Sequence, residues 1–271
     1  MLVSAVSYLN TWPLVWGFLH GAQKGVFNFR FDLPAHCAAA LERGDADIGL
    51  VPCAELDRLR LDFLPELGIA CDGPVRSILL ISKCPYKEIR TLAADAVSKT
   101  SVALARILLA ERFGCPSLDV RPHSPHLDEM LAEGDAALII GDPALRLDPA
   151  ALPYRTLDLG EEWRAWTGLP MVFAVWAVRR DYLAANPALV REVHQGFLRS
   201  RDLALDEVDK VAAQVARWEV FDAAALERYF TTLDFSFGPR QLAGAREFAR
   251  QIGGQIAVDP DVRIEVLGAD A

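Results

Sequence analysis

The sequence predicts an α/β protein of two lobes, each a mostly parallel sheet flanked by helices, joined by two crossover segments. Two observations predict it. Short apolar runs of strand length alternate with amphipathic helical stretches, the pattern of repeated βα units. That series also starts afresh after Lys83-Cys84-Pro85.

The first run, Leu2–Val6, is short and apolar, as expected of a strand covered on both faces. It ends in Ser7-Tyr8-Leu9-Asn10-Thr11-Trp12-Pro13-Leu14, a polar turn leading into a helix over 12–19. In open α/β sheets ligands bind outside the carboxyl ends of strands, so Ser7 and Asn10 stand where a ligand is expected. The same residue types also serve as ordinary turn and cap residues. Strands are predicted at 27–32, 48–51 and 78–82, and helices at 37–43 and 53–60. Gly44 closes one helix, and Pro52 stops the next strand at a ligand-facing edge.

In the second series the pattern gives strands at 90–93, 119–122 and 136–140, with helices at 100–113 and 127–132. The strand at 136–140 runs into Gly141-Asp142, again ending in small or polar residues. An aromatic stretch punctuated by Gly and Pro, 163–170, reads as a loop before a strand at 172–178. Residues 181–248 read as mostly helical, with a last strand near 262–266. With crossings near 83–88 and 175–180, the expected organisation is a discontinuous large lobe (residues 1–84 and 180–271), a small lobe (85–179) and a ligand cleft between them.

At 271 residues and 52% hydrophobic composition, the chain is long enough to bury a sizeable core. A net charge of −9 with scattered acidic residues opposes a nucleic-acid partner, and any anionic ligand would need local donors. Cys37, Cys53, Cys71, Cys84 and Cys115 are widely spaced, which suggests neither a zinc site nor a disulfide framework and favours a reducing cytoplasm. No basic leader precedes the first strand, and no apolar run reaches the roughly 18 residues of a membrane helix. The expected partner is a small molecule, without membrane, metal or cofactor.

Three hydroxyls, Ser98, Thr100 and Ser101, stand at the start of the helix after the strand at 90–93. Unsatisfied N–H groups there, with Ser and Thr donors, suit a carboxylate or phosphate; simple capping is the competing explanation. Arg76 and Ser77 follow a Gly-Pro turn and offer a carboxylate fork and a donor, though Arg76 equally suits a surface ion pair. Trp166 or Phe173 would wall an apolar ring, if not simply core. The five histidines have no evident nucleophilic partner, and neither a nucleophile elbow nor a phosphate loop is present.

Taken together, Ser-Tyr-Leu-Asn-Thr-Trp-Pro-Leu at 7–14, Asp-Ile-Gly-Leu-Val-Pro at 47–52, Gly-Pro-Val-Arg-Ser at 73–77, Ser-Lys-Thr-Ser at 98–101, Ile-Gly-Asp at 140–142 and Trp-Thr-Gly-Leu-Pro-Met-Val-Phe-Ala at 166–174 resemble the chorismate dehydratases of the futalosine route to menaquinone. The resemblance runs in order through most of 2–180 and is weak over the helical tail. It implies a fold similar to type II periplasmic binding proteins and a cofactor-free hydro-lyase. By that resemblance Asn10 and Ser77 are the catalytic positions, and Ser7, Tyr8, Pro52, Arg76, Ser98, Thr100, Ser101, Gly141, Asp142, Trp166 and Phe173 surround the substrate. The alternative is a non-catalytic binding protein for small carboxylates, since fold alone does not separate the two.

Overall fold

The computed structural model describes residues 1–253 apart from 22, 23, 25, 26, 60, 96, 97 and 116; the strand expected near 262–266 lies outside the described residues. In chain order the first lobe opens with β1 (Leu2–Val6), α1 (Trp12–Leu19), β2 (Asn28–Asp32), α2 (Pro34–Arg43), β3 (Ile48–Pro52), α3 (Leu56–Leu59) and β4 (Asp62–Cys71). The second lobe contains β5 (Ile78–Ser82), β6 (Thr91–Asp95), α4 (Lys99–Ile107), β7 (Asp119–His123), α5 (Leu127–Glu133), β8 (Ala136–Ile140), α6 (Gly141–Leu145), β9 (Arg155–Asp158) and α7 (Leu159–Thr167). The chain then returns through β10 (Met171–Val178) to α8 (Arg180–Ala185), α9 (Pro187–Asp206), α10 (Val208–Val215), α11 (Ala223–Thr232) and α12 (Pro239–Gln251).

Two five-stranded sheets result, with orders β2-β1-β3-β10-β4 and β7-β6-β8-β5-β9. The two-lobed α/β class is as expected, but the sheets are mixed rather than mostly parallel. In the first, β10 runs antiparallel to both β3 and β4; in the second, β5 runs antiparallel to both β8 and β9. Each sheet therefore receives, between its own strands, the first strand that arrives from the other lobe.

This pairing moves the crossings away from 83–88 and 175–180. Because β5 joins the second sheet and β10 the first, the chain crosses between Cys71 and Ile78 and again between Thr167 and Met171. The boundaries expected at 84/85 and 179/180 each lie one strand too late, since an apolar strand carries no mark of which sheet it will enter. Residues 1–71 with 171–253 form one lobe, and 78–167 the other.

Side-chain alternation explains how the second sheet is sandwiched. Leu79, Ile81, Ala137 and Ile139 face a small cluster with Met130 and Leu131 of α5, whereas Ile78, Leu80, Ala136, Leu138 and Ile140 face the main core. The main core continues into the first lobe, where Trp176 of β10 packs on Phe197 of α9 with ring centroids 4.2 Å apart. Such buried aromatic pairs contribute about 0.5–1.5 kcal/mol beyond their area.

Two elements differ from the sequence reading. The 163–170 stretch is not a loop: α7 runs through Trp163 and Trp166, capped by Asp158, and ends at Gly168 with φ 73°. Its Gly and Pro mark a helix stop. The ten-residue β4 went unpredicted because Pro65 and Gly68 interrupt its pattern; Pro65 is tolerated because β4 is an edge strand. Among the described residues no helix is long and apolar enough to cross a membrane, and all five cysteines are free.

Candidate active site

The cavity lies between the lobes, at the carboxyl ends of β1, β3 and β8, with an empty volume of about 520 Å³ including its open mouth. Of the residues expected there, Tyr8, Asn10, Pro52, Ser77, Ser98, Thr100, Ser101, Gly141 and Phe173 line it. Its apolar wall is made of Val6, Pro34, Ile69, Ile78, Ile140 and Ala174. None of these lining side chains is charged, so polar recognition rests on hydroxyls, one amide and backbone N–H groups.

One side is the start of α4. Ser98 caps the helix, its Oγ accepting from the Ser101 N–H at 3.3 Å. Thr100 Oγ1 accepts from the Ala54 N–H of the first lobe at 3.2 Å. A hydroxyl that accepts a backbone hydrogen bond keeps its own proton to donate, so capping and ligand donation coexist here. Lys99, beside them, pairs with Glu55 at 3.0 Å, a second tie across the cleft.

Another part of the lining is built by the first crossover. Asp158, at the N-terminus of α7, accepts from the N–H groups of Gly160 and Glu161 and also from those of Val75 and Arg76, the last at 2.7 Å. One carboxylate thus caps a helix and clamps the loop that presents Ser77. Arg76 is held by that clamp with φ 66°, and its side chain is exposed rather than in the cavity lining. Asp158→Ala is expected to lower stability by about 2–3 kcal/mol in urea unfolding, combining a lost cap with orphaned N–H groups. A loss under about 1 kcal/mol would deny the clamp.

Ser77, 2% exposed, accepts at Oγ from the Tyr229 hydroxyl at 3.1 Å. Tyr229 of α11 is itself buried, and the Asn10 side chain interacts with its phenol. Desolvation holds its phenol far above the usual range, hence neutral, with Asp142 adding to the rise. Asn10 Oδ1 is buried with no hydrogen-bond partner among the described residues. Tyr229 has no motif signal; main-chain pairing of Asp234, Phe235 and Phe237 with Ala70, Gly68 and Glu66 docks the segment after α11 beside β4 and brings it here.

Gly141 adopts φ 63°, and a Cβ there would meet the Tyr8 ring at 3.2 Å, so glycine lets the second lobe approach the first. Gly141 N–H donates to the Ser77 carbonyl at 2.7 Å. Asp142 stands behind the lining, its Oδ1 accepting from the Leu9 N–H at 3.1 Å. Burial pushes its carboxyl up to about 6; the Leu9 hydrogen bond opposes this, Glu219 adds to it and Arg146 counters it. Tyr8 is also raised, by burial first and then by Asp95 and Asp142.

Because the folded Asp142 value exceeds its ordinary 3.8, its contribution to stability is present at low pH and lost as pH rises through about 6. The thermal midpoint of the protein relative to Asp142→Asn is therefore expected to fall between about pH 4 and 6 and to level off above. A flat difference over that range would contradict the shift.

Phe173 reaches the cavity through a β-bulge: Val172 pairs with Ala70 and Ala174 with Ile69, leaving Phe173 as the extra residue. Ser7 is exposed, its N–H bonded to the Asp32 carbonyl, and Trp166 packs edge-on against Trp163 at 5.9 Å; neither lines the cavity.

The fold and this cavity define a two-lobed small-molecule-binding architecture. The chain superposes on the periplasmic aliphatic sulphonate binding protein of Escherichia coli with a TM-score of 0.66 at 15% identity, covering 98% of each chain. A protein of Archaeoglobus fulgidus superposes with a TM-score of 0.71 at 14% identity, over 93% of this chain and 96% of the other. At such identities the likeness concerns fold alone. Sequence is more specific: the family profile described as menaquinone biosynthesis matches residues 1–253, and the chain belongs to that family. A chorismate dehydratase of Thermus thermophilus is 30% identical over 263 residues, covering 91% of this chain and 93% of the relative. One from Campylobacter jejuni is 26% identical over 214 residues, covering 74% and 78%.

Proposed function

We propose that this protein is a chorismate dehydratase, a hydro-lyase that converts chorismate to 3-[(1-carboxyvinyl)oxy]benzoate and water. Similarity over 91% and 74% of this chain to two enzymes of that name supports the reading. The structural observation that carries it is a cavity lined both by hydroxyls at the α4 N-terminus and by Asn10 and Ser77, within an aromatic and aliphatic wall. A cyclic dicarboxylate with one hydroxyl has matching chemistry. We further place the reaction in the futalosine route and the cytoplasm, in keeping with five free cysteines.

The reaction removes the ring hydroxyl and the proton on the adjacent, ether-bearing carbon, and leaves a benzoate. The C–H electron pair spreads through the ring diene into the ring carboxylate; expulsion of the hydroxyl, which leaves as water with that proton, completes the aromatic ring. Thr100, Ser101 and the N-terminus of α4 hold the carboxylate and stabilise charge that develops there. Asn10 and Ser77 hold the departing hydroxyl. No carboxylate or imidazole lines the cavity among the described residues, which supports the substrate's own enolpyruvyl carboxylate as base.

Asp142→Asn tests that assignment, because its amide oxygen still accepts from the Leu9 N–H. Steady-state kcat is expected to stay within about 5-fold, whereas a general base would lose roughly 10²-fold or more. The function itself is tested by incubating the purified protein with chorismate and following, by mass spectrometry, the loss of one water together with the absorbance of a new benzoate ring. Binding without turnover would make it a binding protein for small carboxylates.

A further inference from the structure

We propose that Tyr229 is a positioning residue that sets the hydrogen-bond polarity of the cavity, making Asn10 present an acceptor and Ser77 a donor. The proposal rests on the reading of the site as a dehydratase and adds to it a residue from the helical tail.

The direction of the network follows from counting protons. A phenol has one proton to give, and here it points to Ser77 Oγ at 3.1 Å. Its oxygen is then left only to accept, so the Asn10 side chain, which interacts with this phenol, turns its NH₂ end toward it. That orientation turns Asn10 Oδ1 away, and Oδ1 is the atom found buried without a partner among the described residues, on a residue that lines the cavity. At the other end, Ser77 Oγ already accepts from Tyr229, and its proton has only a long alternative, the Val75 carbonyl at 3.4 Å. It is available to a ligand. A chain from Asn10 through Tyr229 to Ser77 therefore gives the cavity one fixed acceptor and one fixed donor.

This pairing suits a ligand hydroxyl, which gives its proton to Asn10 Oδ1 and accepts from Ser77. As the carbon–oxygen bond breaks, the oxygen gains charge and the Ser77 donor strengthens, an interaction larger in the transition state than in the ground state. Without the phenolic oxygen, Asn10 is free to flip and Ser77 to turn its proton elsewhere. A flipped Asn10 that offers its NH₂ to the ligand hydroxyl, with Ser77 turned away, would weaken departure of the hydroxyl more than capture of the substrate.

The test is a kinetic double-mutant cycle on the full-length protein with Tyr229→Phe, Asn10→Ala and both, assayed with chorismate. Tyr229→Phe is expected to lower kcat about 10- to 100-fold with KM changed less than about 3-fold, while in the Asn10→Ala background it lowers kcat no more than about 3-fold further. The thermal midpoint of Tyr229→Phe should lie close to that of the parent. An unchanged kcat, an equal loss in both backgrounds, or a Tyr229→Phe protein that fails to fold by circular dichroism would each overturn the positioning role. A parent protein that does not turn over chorismate would instead overturn the dehydratase reading and this proposal with it.

Discussion

Ser77→Ala is expected to lower kcat on chorismate by roughly 10²- to 10³-fold while KM changes little, the size associated with losing one preorganised donor to a developing oxyanion. The expectation follows from placement. Ser77 is nearly fully buried, accepts a hydrogen bond from the Tyr229 hydroxyl, and is fixed from behind by its carbonyl, which accepts from the Gly141 N–H at 2.7 Å. Its hydroxyl therefore reorganises little as charge builds. Removing it leaves the Tyr229 phenol without its acceptor, so a modest fall in stability, about 1–3 kcal/mol, should accompany the kinetic loss. The two effects separate experimentally, because saturating substrate at a temperature well below the unfolding transition reads kcat alone. A variant with kcat within 3-fold of the parent would remove Ser77 from the reacting site.

Gly244→Ala should have the largest effect on stability. Gly244 of α12 sits against the second crossover, where an added Cβ would overlap the Pro170 carbonyl oxygen. That oxygen belongs to the backbone and already accepts from Trp163 Nε1 at 3.2 Å, so it has little room to retreat. Overpacking costs about 1–3 kcal/mol where side chains can give way; against a fixed carbonyl the expected loss is about 3 kcal/mol or more. For a chain of this size that lowers the thermal midpoint by about 6–12 °C. A fall of less than 2 °C would show that α12 slides freely along β10.

Much of the site was readable before the fold because strand ends and helix starts announce themselves locally. The end of β1 with Asn10, the start of α4 with Ser98 to Ser101, and the end of β8 with Gly141 are each a few consecutive residues whose turn chemistry is visible in order. Arg76 shows the limit of that reading. Its neighbour Ser77 lines the cavity, while the Asp158 clamp holds Arg76 in a left-handed conformation with its side chain exposed. Asp158 and Tyr229 were invisible for another reason: each acts on residues far away in sequence, 82 positions from Arg76 and 152 from Ser77. Long-range pairs of this kind leave no local pattern. The crossings were misplaced for a related reason, since strand partnership is decided by tertiary pairing.

The placement of the two crossovers separates the reacting groups. Asn10 and Tyr229 belong to one lobe and Ser77 to the crossover that enters the other, while Thr100–Ala54, Lys99–Glu55 and Leu9–Asp142 tie the lobes shut. Because groups on both sides of these ties line one cavity, parting the lobes would draw Asn10 away from Thr100 and Ser101, so the full reacting set exists only while the cleft is shut.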